Sequence, residues 1–300
     1  MNDKDILKFD SKPTLKNPYI ICGLNGWVNG GEVSVAGINH FINQFNGVKF
    51  AEMPTSRYHI YQIPGLEGLR PVFKMQDGLI VDTHLPKNQF YYAKNPASEH
   101  DLILFQGNEP SLNWEEYTDT VVSLACEFGA ARLYAFCGIL DRTPYTREPL
   151  ISCTCTSAKM KEEMEGYDVT FSNREGPATF NQMLLYACTK KGLEGVNFTV
   201  RVPCYPEHNV LIGYSPKSTK AVLVRLKDLM DLDIDFEEFD SAIKEVEGKL
   251  NFFRQQNSEF NTYIEELEKN YVEMPYKETL DISPGDAVRL AEEFLKDNED

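Results

Sequence analysis

Residues 18–42 read PYIICGLNGWVNGGEVSVAGINHFI, and this stretch decides which fold the chain can adopt. The apolar residues at 19–22 predict a buried strand, and a turn dense in glycine follows them. Apolar residues then recur at helical spacing, at Val35, Ile38 and Ile42, so the turn opens into an amphipathic helix. In an α/β sheet this order places the turn at the carboxyl edge of a strand, with unpaired helix N–H groups pointing outward. The stretch therefore predicts an edge that can receive an anion or a small ligand.

The glycine turn supplies the first candidates for a ligand pocket. They are Gly23, Asn25, Gly26, Trp27 and Gly30. Glycine suits a pocket wall and a tightly packed turn equally well, so both interpretations stay open. The turn has neither the G-K-[ST] ending of a P-loop nor the G-x-G-x-x-G spacing of a dinucleotide site. Nucleotide binding through either motif is therefore not expected.

Strands alternate with helices along the first 230 residues, and the strands end at glycine or proline. This order predicts an α/β fold with a mostly parallel sheet that is flanked by helices on both faces. Further strands are expected at 48–53, 58–63, 71–75 and 78–84. The last two are expected to form a hairpin, because Asp77-Gly78 tolerates the positive φ angles of a tight turn.

Four more loops are expected at the same edge of the sheet, at residues 107–114, 138–147, 174–179 and 203–208. They add Gly107, Glu109, Arg147 and Gly176 to the candidate pocket. Facing acids and arginines can bind a zwitterion or a carboxylate. They can equally form surface ion pairs that contribute little to stability, and both interpretations stay open.

The composition is that of a globular protein, with 42% hydrophobic residues in a chain of 300. The first residues lack the apolar segment of a signal peptide, and no apolar run approaches the roughly 20 residues of a membrane helix. The seven cysteines are irregularly spaced, and the five histidines show no metal-ligand spacing. We therefore expect a cytoplasmic protein without a metal or a cofactor.

The net charge of −16 is concentrated at the end of the chain. Residues 226–300 contain 22 acidic and 8 basic residues, whereas residues 1–225 contain 24 acidic and 22 basic residues. A nearly neutral body with an acidic end offers no basic face to phosphate groups. Neither nucleic acid nor a membrane is therefore an expected partner.

The acidic end carries two series of residues spaced seven apart, which together form a heptad pattern. They are Phe236, Ile243, Leu250, Asn257, Ile264 and Tyr271, and Phe239, Val246, Phe253, Phe260 and Leu267. The pattern predicts one helix over residues 236–271, roughly 54 Å long, with a lone Asn257 that can fix register. Its seam can form a coiled coil or pack across the chain's own core. The candidate contacts with a partner are Phe239, Val246, Leu250, Phe253, Asn257, Phe260 and Ile264. We divide the chain into an α/β core domain, 1–230, and an acidic helical extension, 231–300.

Five motifs stand in order along the chain. They are GLNGWVNGGEV at 23–33, GNEPSLNW at 107–114, RTPYTREP at 142–149, EGPATFNQML at 175–184 and VPCYPEHN at 202–209. Their order and spacing resemble the family of the second proteasome assembly chaperone over about residues 15–230. The resemblance implies a sandwich related to nucleoside phosphorylases and hydrolases, often self-associated. It also implies a role in proteasome assembly in eukaryotes and archaea, whereas the activity of bacterial members is largely unassigned.

The chain departs from the family pattern at three positions. Tyr145 and Cys204 stand where many members have histidine, and Asn29 replaces a frequent aspartate. Acid–base chemistry that uses those side chains elsewhere is not expected here. We therefore expect a non-enzymatic assembly or interaction protein that associates with itself, preferably as a trimer, and that can bind another protein. The alternative is a small-molecule enzyme or binder, phosphorylase-, hydrolase- or ligase-like, that uses the glycine-rich pocket.

Overall fold

The computed structural model describes residues 6–61, 71–171, 173, 175–205 and 213–271. The strands in these residues are Lys8–Phe9 (β1), Tyr19–Asn25 (β2), Val48–Met53 (β3), Val72–Gln76 (β4), Leu79–His84 (β5), Asn88–Ala93 (β6), Leu102–Asn108 (β7), Arg132–Asp141 (β8), Ile151–Cys155 (β9) and Glu194–Pro203 (β10). The α-helices are Val33–Gln44 (α1), Trp114–Glu127 (α2), Ala158–Met164 (α3), Phe180–Lys191 (α4), Pro216–Met230 (α5), Glu237–Gln256 (α6) and Ser258–Asn270 (α7).

Within the described residues, an eight-stranded sheet has the strand order β1-β3-β6-β7-β2-β8-β10-β9. The central strands β7, β2, β8 and β10 run parallel, and the strands outside them pair in antiparallel. The predicted α/β class, with its mostly parallel sheet between helices, is confirmed. Because the central strands point the same way, their carboxyl ends lie along one edge of the sheet. We call this edge the rim, and it comprises residues 25–31, 108–114, 138–147 and 203–205.

The residues of β2 show how the sheet divides the apolar core. Ile21 belongs to a cluster with residues of α1 and α5, whereas Ile20 and Cys22 belong to a second cluster with residues of α2 and α4. Successive side chains of a strand point to opposite faces, so one apolar run contributes to both layers. All three side chains are fully buried, as expected for a parallel strand that is covered on both faces.

The hairpin predicted at Asp77-Gly78 is confirmed, since both residues have positive φ angles, 50° and 78°, and β4 pairs with β5. The strand predicted at 58–63 is wrong for residues 58–61. The Tyr58 carbonyl oxygen accepts hydrogen bonds from the N–H groups of Ser111 and Leu112 in a loop, not from a neighbouring strand. Residues 62 and 63 lie outside the described part of the chain. Strand β6, which the pattern did not predict, fills the place between β3 and β7.

The single helix predicted over 236–271 is wrong, because Asn257 divides it. The Asn257 backbone is extended (φ −128°, ψ 106°), and its side-chain oxygen caps α7 by accepting from the Phe260 N–H at 2.9 Å. Arg254 and Glu268 form an ion pair at 3.1 Å. They are fourteen positions apart in the sequence, a separation that would span roughly 21 Å in a straight helix. Helix α7 therefore folds back along α6.

The α6–α7 pair packs on the body of its own chain as far as residue 271. Leu250 and Ile264 are fully buried in a cluster with Tyr145 and Tyr205, which follow β8 and β10. Of the two interpretations of the seam, this packing favours a helical segment laid across its own core. The division at residue 230 stays a prediction, and residues 272–300 lie outside the described part of the chain.

Candidate functional site

Backbone hydrogen bonds join the loops at the rim. Asn29 pairs with Gly138 in a parallel bridge, and the Glu109 N–H donates to the Asn25 carbonyl oxygen at 2.7 Å. The turn after β2 therefore lies between the loops that follow β7 and β8, as the strand order requires. These contacts bring the loops 107–114 and 138–147 to the glycine turn, as predicted.

The glycines of the turn are required by close packing. A Cβ on Gly30 would lie 2.8 Å from the Gly138 carbonyl oxygen, and a Cβ on Gly138 would lie 2.2 Å from the Gly30 carbonyl oxygen. A Cβ on Gly23 would lie 2.5 Å from the Cβ of Ile38 in α1. Of the two interpretations of the turn, these contacts favour the tightly packed turn over the pocket wall.

Glu109 holds the glycine turn from the neighbouring loop. Its Oε2 accepts a hydrogen bond from the backbone N–H of Trp27 at 2.7 Å. Gly26 lies directly against it, because a Cβ there would be 2.4 Å from the Glu109 Cβ. Burial raises the pKa of Glu109, and the N–H groups of Trp27 and Val28 oppose this rise by stabilising the carboxylate. The arrangement makes Glu109 a fixed acceptor for the turn.

The N-terminus of α1 is capped by a side chain of the turn. Asn29 Oδ1 accepts hydrogen bonds from the backbone N–H groups of Ser34 at 3.0 Å and Val35 at 3.1 Å. The prediction of unpaired N–H groups pointing outward is therefore wrong at these two positions. An anion at the turn would have to compete with Asn29 for the same donors.

Asparagine side chains connect the rim to the core. Asn25 Nδ2 donates to Asn108 Oδ1 at 3.3 Å, and the Asn108 N–H donates to Asn88 Oδ1 at 3.0 Å. Asn88 is buried, accepts from the Tyr117 hydroxyl at 3.0 Å and lies 3.3 Å from Nε2 of His59, whose pKa is lowered by burial. Motif reasoning missed Asn88, since a single polar residue at the start of an unpredicted strand forms no motif. A connected network of this kind makes the rim rigid.

Trp27 is 73% exposed, although the turn that carries it is fixed. Leu140 at the end of β8 and Leu112 after β7 are also exposed, at 51% and 45%. Trp27 and Leu112 lie in the loops that follow β2 and β7, and Leu140 lies near the end of β8, so the three belong to the ends of three adjacent parallel strands and the loops after them. Exposed large apolar side chains on a rigid frame are typical of a protein-binding surface.

The remaining candidates for the pocket lie apart from the turn. Gly107 is inside β7, where a Cβ would lie 2.6 Å from the Tyr117 hydroxyl, and Gly176 is exposed. Arg147 is exposed and lines a separate cavity. Other residues around that cavity are Pro149, Ser215, Lys217, Val246 and Glu247, and no residue of the glycine turn lines it. A pocket that joins Asn25, Trp27, Glu109 and Arg147 stays a prediction, and in this structure Arg147 lines a different cavity.

A buried ion pair that motif reasoning missed closes the rim between β8 and β10. Arg201 Nη1 lies 3.0 Å from Asp141 Oδ2, and only 7% and 9% of the two side chains are exposed. The signal in the sequence was an arginine inside an apolar strand and an aspartate at the end of another. A buried pair of this kind fixes the two strand ends, because separating the charges leaves one of them uncompensated.

The candidate partner contacts of the acidic segment lie inside this chain. Phe239, Leu250, Phe260 and Ile264 are each at most 6% exposed. Val246 and Phe253 pack against the cluster around Leu250, and Asn257 caps α7. Their contacts in this structure hold the α6–α7 pair together and against the body, and a role in binding a partner stays a prediction.

Among the described residues, no three histidine, cysteine or acidic side chains are grouped so that they could hold a metal ion. None of the helices that the structure describes has both the length and the apolar character needed to cross a membrane.

Comparisons with known proteins agree with the motif series. A model of the PAC2 family matches residues 23–253. A proteasome-assembly chaperone homologue from Mycobacterium tuberculosis is 22% identical, with 82% of this chain and 99% of that chain covered and a TM-score of 0.71. A PAC2 family protein from Streptomyces avermitilis is 23% identical, with coverage of 82% and 99% and a TM-score of 0.69. PbaB from Pyrococcus furiosus, an archaeal proteasome activator, is 23% identical, with coverage of 82% and 97% and a TM-score of 0.63. No curated protein matches the chain at a significant level. At these identities the structural likeness shows the fold alone.

Proposed function

This chain belongs to the PAC2 family, and from that premise we propose that it is a non-enzymatic, cytoplasmic interaction protein that acts like a proteasome-assembly chaperone. Two proteins that share its fold are a proteasome-assembly chaperone homologue and a proteasome activator. An assembly chaperone and an activator of the proteasome both act on another protein. The observation that carries the proposal is the exposure of Trp27 at the rim, 73% of the side chain, on a turn that other residues hold in place.

The rim has the composition of a binding surface. Tryptophan is enriched among the residues that contribute most to binding between proteins, because its ring buries a large area with few rotatable bonds. Leu140 in β8 and Leu112 in the loop after β7 add exposed apolar area to the rim from the strands on either side of β2. Docking a partner here would remove all three side chains from water, at a gain proportional to the apolar area buried.

The rigidity of the rim supports affinity. Glu109 fixes the Trp27 backbone, Asn29 caps α1, and Asn88 ties the loop after β7 to the core. A surface that is ordered before binding loses little conformational entropy when the partner docks. The same observations support a non-enzymatic role, since the half-buried carboxylate at the rim is engaged in holding the turn.

We also propose that copies of the chain associate through the hairpin of β4 and β5, with a trimer as the preferred state. On one face of the hairpin, the side chains of Phe73, Met75 and Ile80 are between 49% and 60% exposed. Phe73 pairs with Thr83 and Met75 with Ile80, whereas Lys74 pairs with Asp82 on the opposite face. No further strand among the described residues joins this hairpin. A two-stranded hairpin alone is marginally stable in water, so covering its apolar face would stabilise it.

The cavity beside Arg147 supports a second candidate function, the binding of a small molecule. Arg147, Lys217 and Glu247 line the cavity and bring charges of both signs to one place, an arrangement that can bind a zwitterion. A thermal-shift screen with nucleosides, amino acids and phosphates tests it, with Arg147→Ala as the variant. Stabilisation that is lost in Arg147→Ala would favour this function, and no stabilisation by any compound would remove its support.

The experiment for the main proposal measures binding of the full chain to purified proteasome subunits of its own organism. Trp27→Ala should weaken binding by about 30-fold or more, the effect of losing one dominant interface residue. Tyr186→Ala is the matched control, because it removes another exposed aromatic side chain, 53% exposed, from the outer surface of α4. Its affinity should equal that of the wild type. Equal binding by Trp27→Ala and wild type, or no binding by the wild type, would contradict the proposal.

A further inference from the structure

Cys153 and Cys155 stand two residues apart on β9, and their sulfur atoms are 3.5 Å apart. Cys153 lies opposite Phe198 of β10, and Cys155 lies opposite Val196. Alternate residues of a strand share a face of the sheet, so the two thiols point the same way. Cys153 is buried and Cys155 is half-buried. One thiol of the pair is thus open to a reagent in solvent, and the second lies next to it inside the core.

The surroundings favour the thiolate form of Cys155. The hydrogen bond between the two thiols lowers the pKa of Cys155. The positive charges of Arg132 and Lys161 also lower it, whereas burial and the negative charge of Glu163 act in the opposite direction. The same hydrogen bond, together with burial, raises the pKa of Cys153. Cys155 is therefore the thiol that reacts first, since the thiolate is the form that attacks electrophiles and binds metals.

The separation of the sulfur atoms fits a shared ion better than a disulfide. A disulfide would need the sulfurs to move from 3.5 Å to about 2.05 Å apart. One ion that makes two sulfur bonds of about 2.3 Å at a near-tetrahedral angle holds the sulfurs about 3.8 Å apart. The observed pair lies within a few tenths of an ångström of that spacing. Met160 and Met164 of α3 belong to the same apolar cluster as Cys153.

We propose that Cys153 and Cys155 form a two-thiolate binding site for a soft, thiophilic ion. The second sulfur is held next to the first by the strand, so it binds at a high effective concentration that an isolated cysteine lacks. Trivalent arsenic is a direct probe of such a pair. With phenylarsine oxide, each thiol transfers its proton to the oxide oxygen, which leaves as water. Two As–S bonds replace the As=O bond, and arsenic stays trivalent.

The test titrates the folded full-length chain with phenylarsine oxide in the presence of excess monothiol, followed by intact mass spectrometry. We expect one phenylarsenic group per chain, with the loss of two thiol hydrogens, that a dithiol removes and the monothiol does not. Cys155→Ser should weaken the apparent affinity by about 100-fold, the usual gain from a second linked contact. Cys204→Ser is the matched control, because Cys204 is also half-buried, and it should bind like the wild type.

A second measurement on the unmodified chain keeps the test independent of how well the variant folds. Protease digestion of the arsenic-bound wild type should place the arsenic on the peptide that contains residues 151–155. Arsenic on another cysteine peptide, binding that appears only in denaturant, or equal affinity of wild type and Cys155→Ser would overturn the proposal. Rapid conversion of the pair to a disulfide with no retained arsenic would overturn it as well.

Discussion

The backbone N–H of Trp27 donates a 2.7 Å hydrogen bond to Oε2 of Glu109, so a half-buried carboxylate fixes a tryptophan that is 73% exposed. The two residues belong to loops that follow β2 and β7, which are neighbours in the sheet. A half-buried acceptor and an exposed ring thereby act as one unit of the rim. The relationship links the stability of the turn to the binding surface that it presents.

Replacing Glu109 by glutamine should change how the free energy of unfolding depends on pH. The pKa of Glu109 is raised in the folded chain, so the folded chain binds this proton more tightly than the unfolded chain. The resulting stabilisation is fully present below the ordinary glutamate pKa and is lost as pH rises through the raised value. The wild type should therefore lose stability relative to Glu109→Gln as pH rises above the ordinary glutamate pKa of about 4.3. Urea denaturation at a series of pH values measures the difference.

Glu116→Gln is the control for this pH dependence, because the pKa of Glu116 is shifted in the opposite direction. Hydrogen bonding to Arg57 lowers the pKa of Glu116. Its contribution to stability is therefore present above the ordinary glutamate pKa and is lost as pH falls. If both variants changed the dependence of the free energy of unfolding on pH in the same direction, the role assigned to Glu109 would be contradicted.

Gly138→Ala should destabilise the rim. A Cβ at this position would lie 2.2 Å from the Gly30 carbonyl oxygen, and two strand ends would have to move apart. The expected cost is about 2–3 kcal/mol in the free energy of unfolding, as for other overpacked positions. Gly248→Ala in α6 is the matched control, because nothing lies within 4 Å of its added Cβ. It should stabilise the chain by about 0.5–1 kcal/mol through helix propensity. Denaturation of the two variants with guanidinium chloride compares them, and equal effects would count against the packing argument.

Leu250→Ala should show that the acidic segment packs on its own chain. Leu250 is fully buried between the α6–α7 pair and the loops after β8 and β10. Truncating a buried leucine costs about 2–5 kcal/mol, because it removes apolar burial and leaves a cavity. Phe252, two residues further, is 67% exposed, so Phe252→Ala should change the free energy of unfolding by less than about 0.5 kcal/mol. A dilution series separates intrachain packing from association: a loss that appears only at high protein concentration would place Leu250 in an interface between copies.

Ile80→Lys should reduce self-association of the chain. Ile80 is 60% exposed on the apolar face of the hairpin, and a buried lysine charge in an interface is costly. Light scattering of the variant should report a smaller species than that of the wild type at the same concentration. His84→Lys adds the same charge on the face that carries Lys74 and Asp82 and should leave the molar mass unchanged. A monomeric wild type, or identical masses for wild type and Ile80→Lys, would argue against association through the hairpin.

Local patterns predicted the central elements well. The apolar run at 19–22, the glycine turn and the helical spacing after it gave β2 and α1, since strand, turn and helix each follow from neighbouring residues. Asp77-Gly78 gave the hairpin for the same reason. The prediction of a single helix over residues 236–271 was wrong, because the heptad pattern continues through Asn257 without interruption. The Asn257 side chain caps a new helix there, and the apolar residues of α6 and α7 then pack against each other and against the body.

The sequence by itself determined that an α/β sheet carries glycine-rich loops at one edge, because parallel strands place all their carboxyl ends together. It also determined the family, through five motifs in order. Only the tertiary structure decided which residues those loops contact. The partners of Glu109 and Asn88 come from other loops and strands, and Arg147 turned toward α5 and α6 instead of the glycine turn. Contacts between residues distant in sequence depend on how all the elements pack, and no local spacing encodes them.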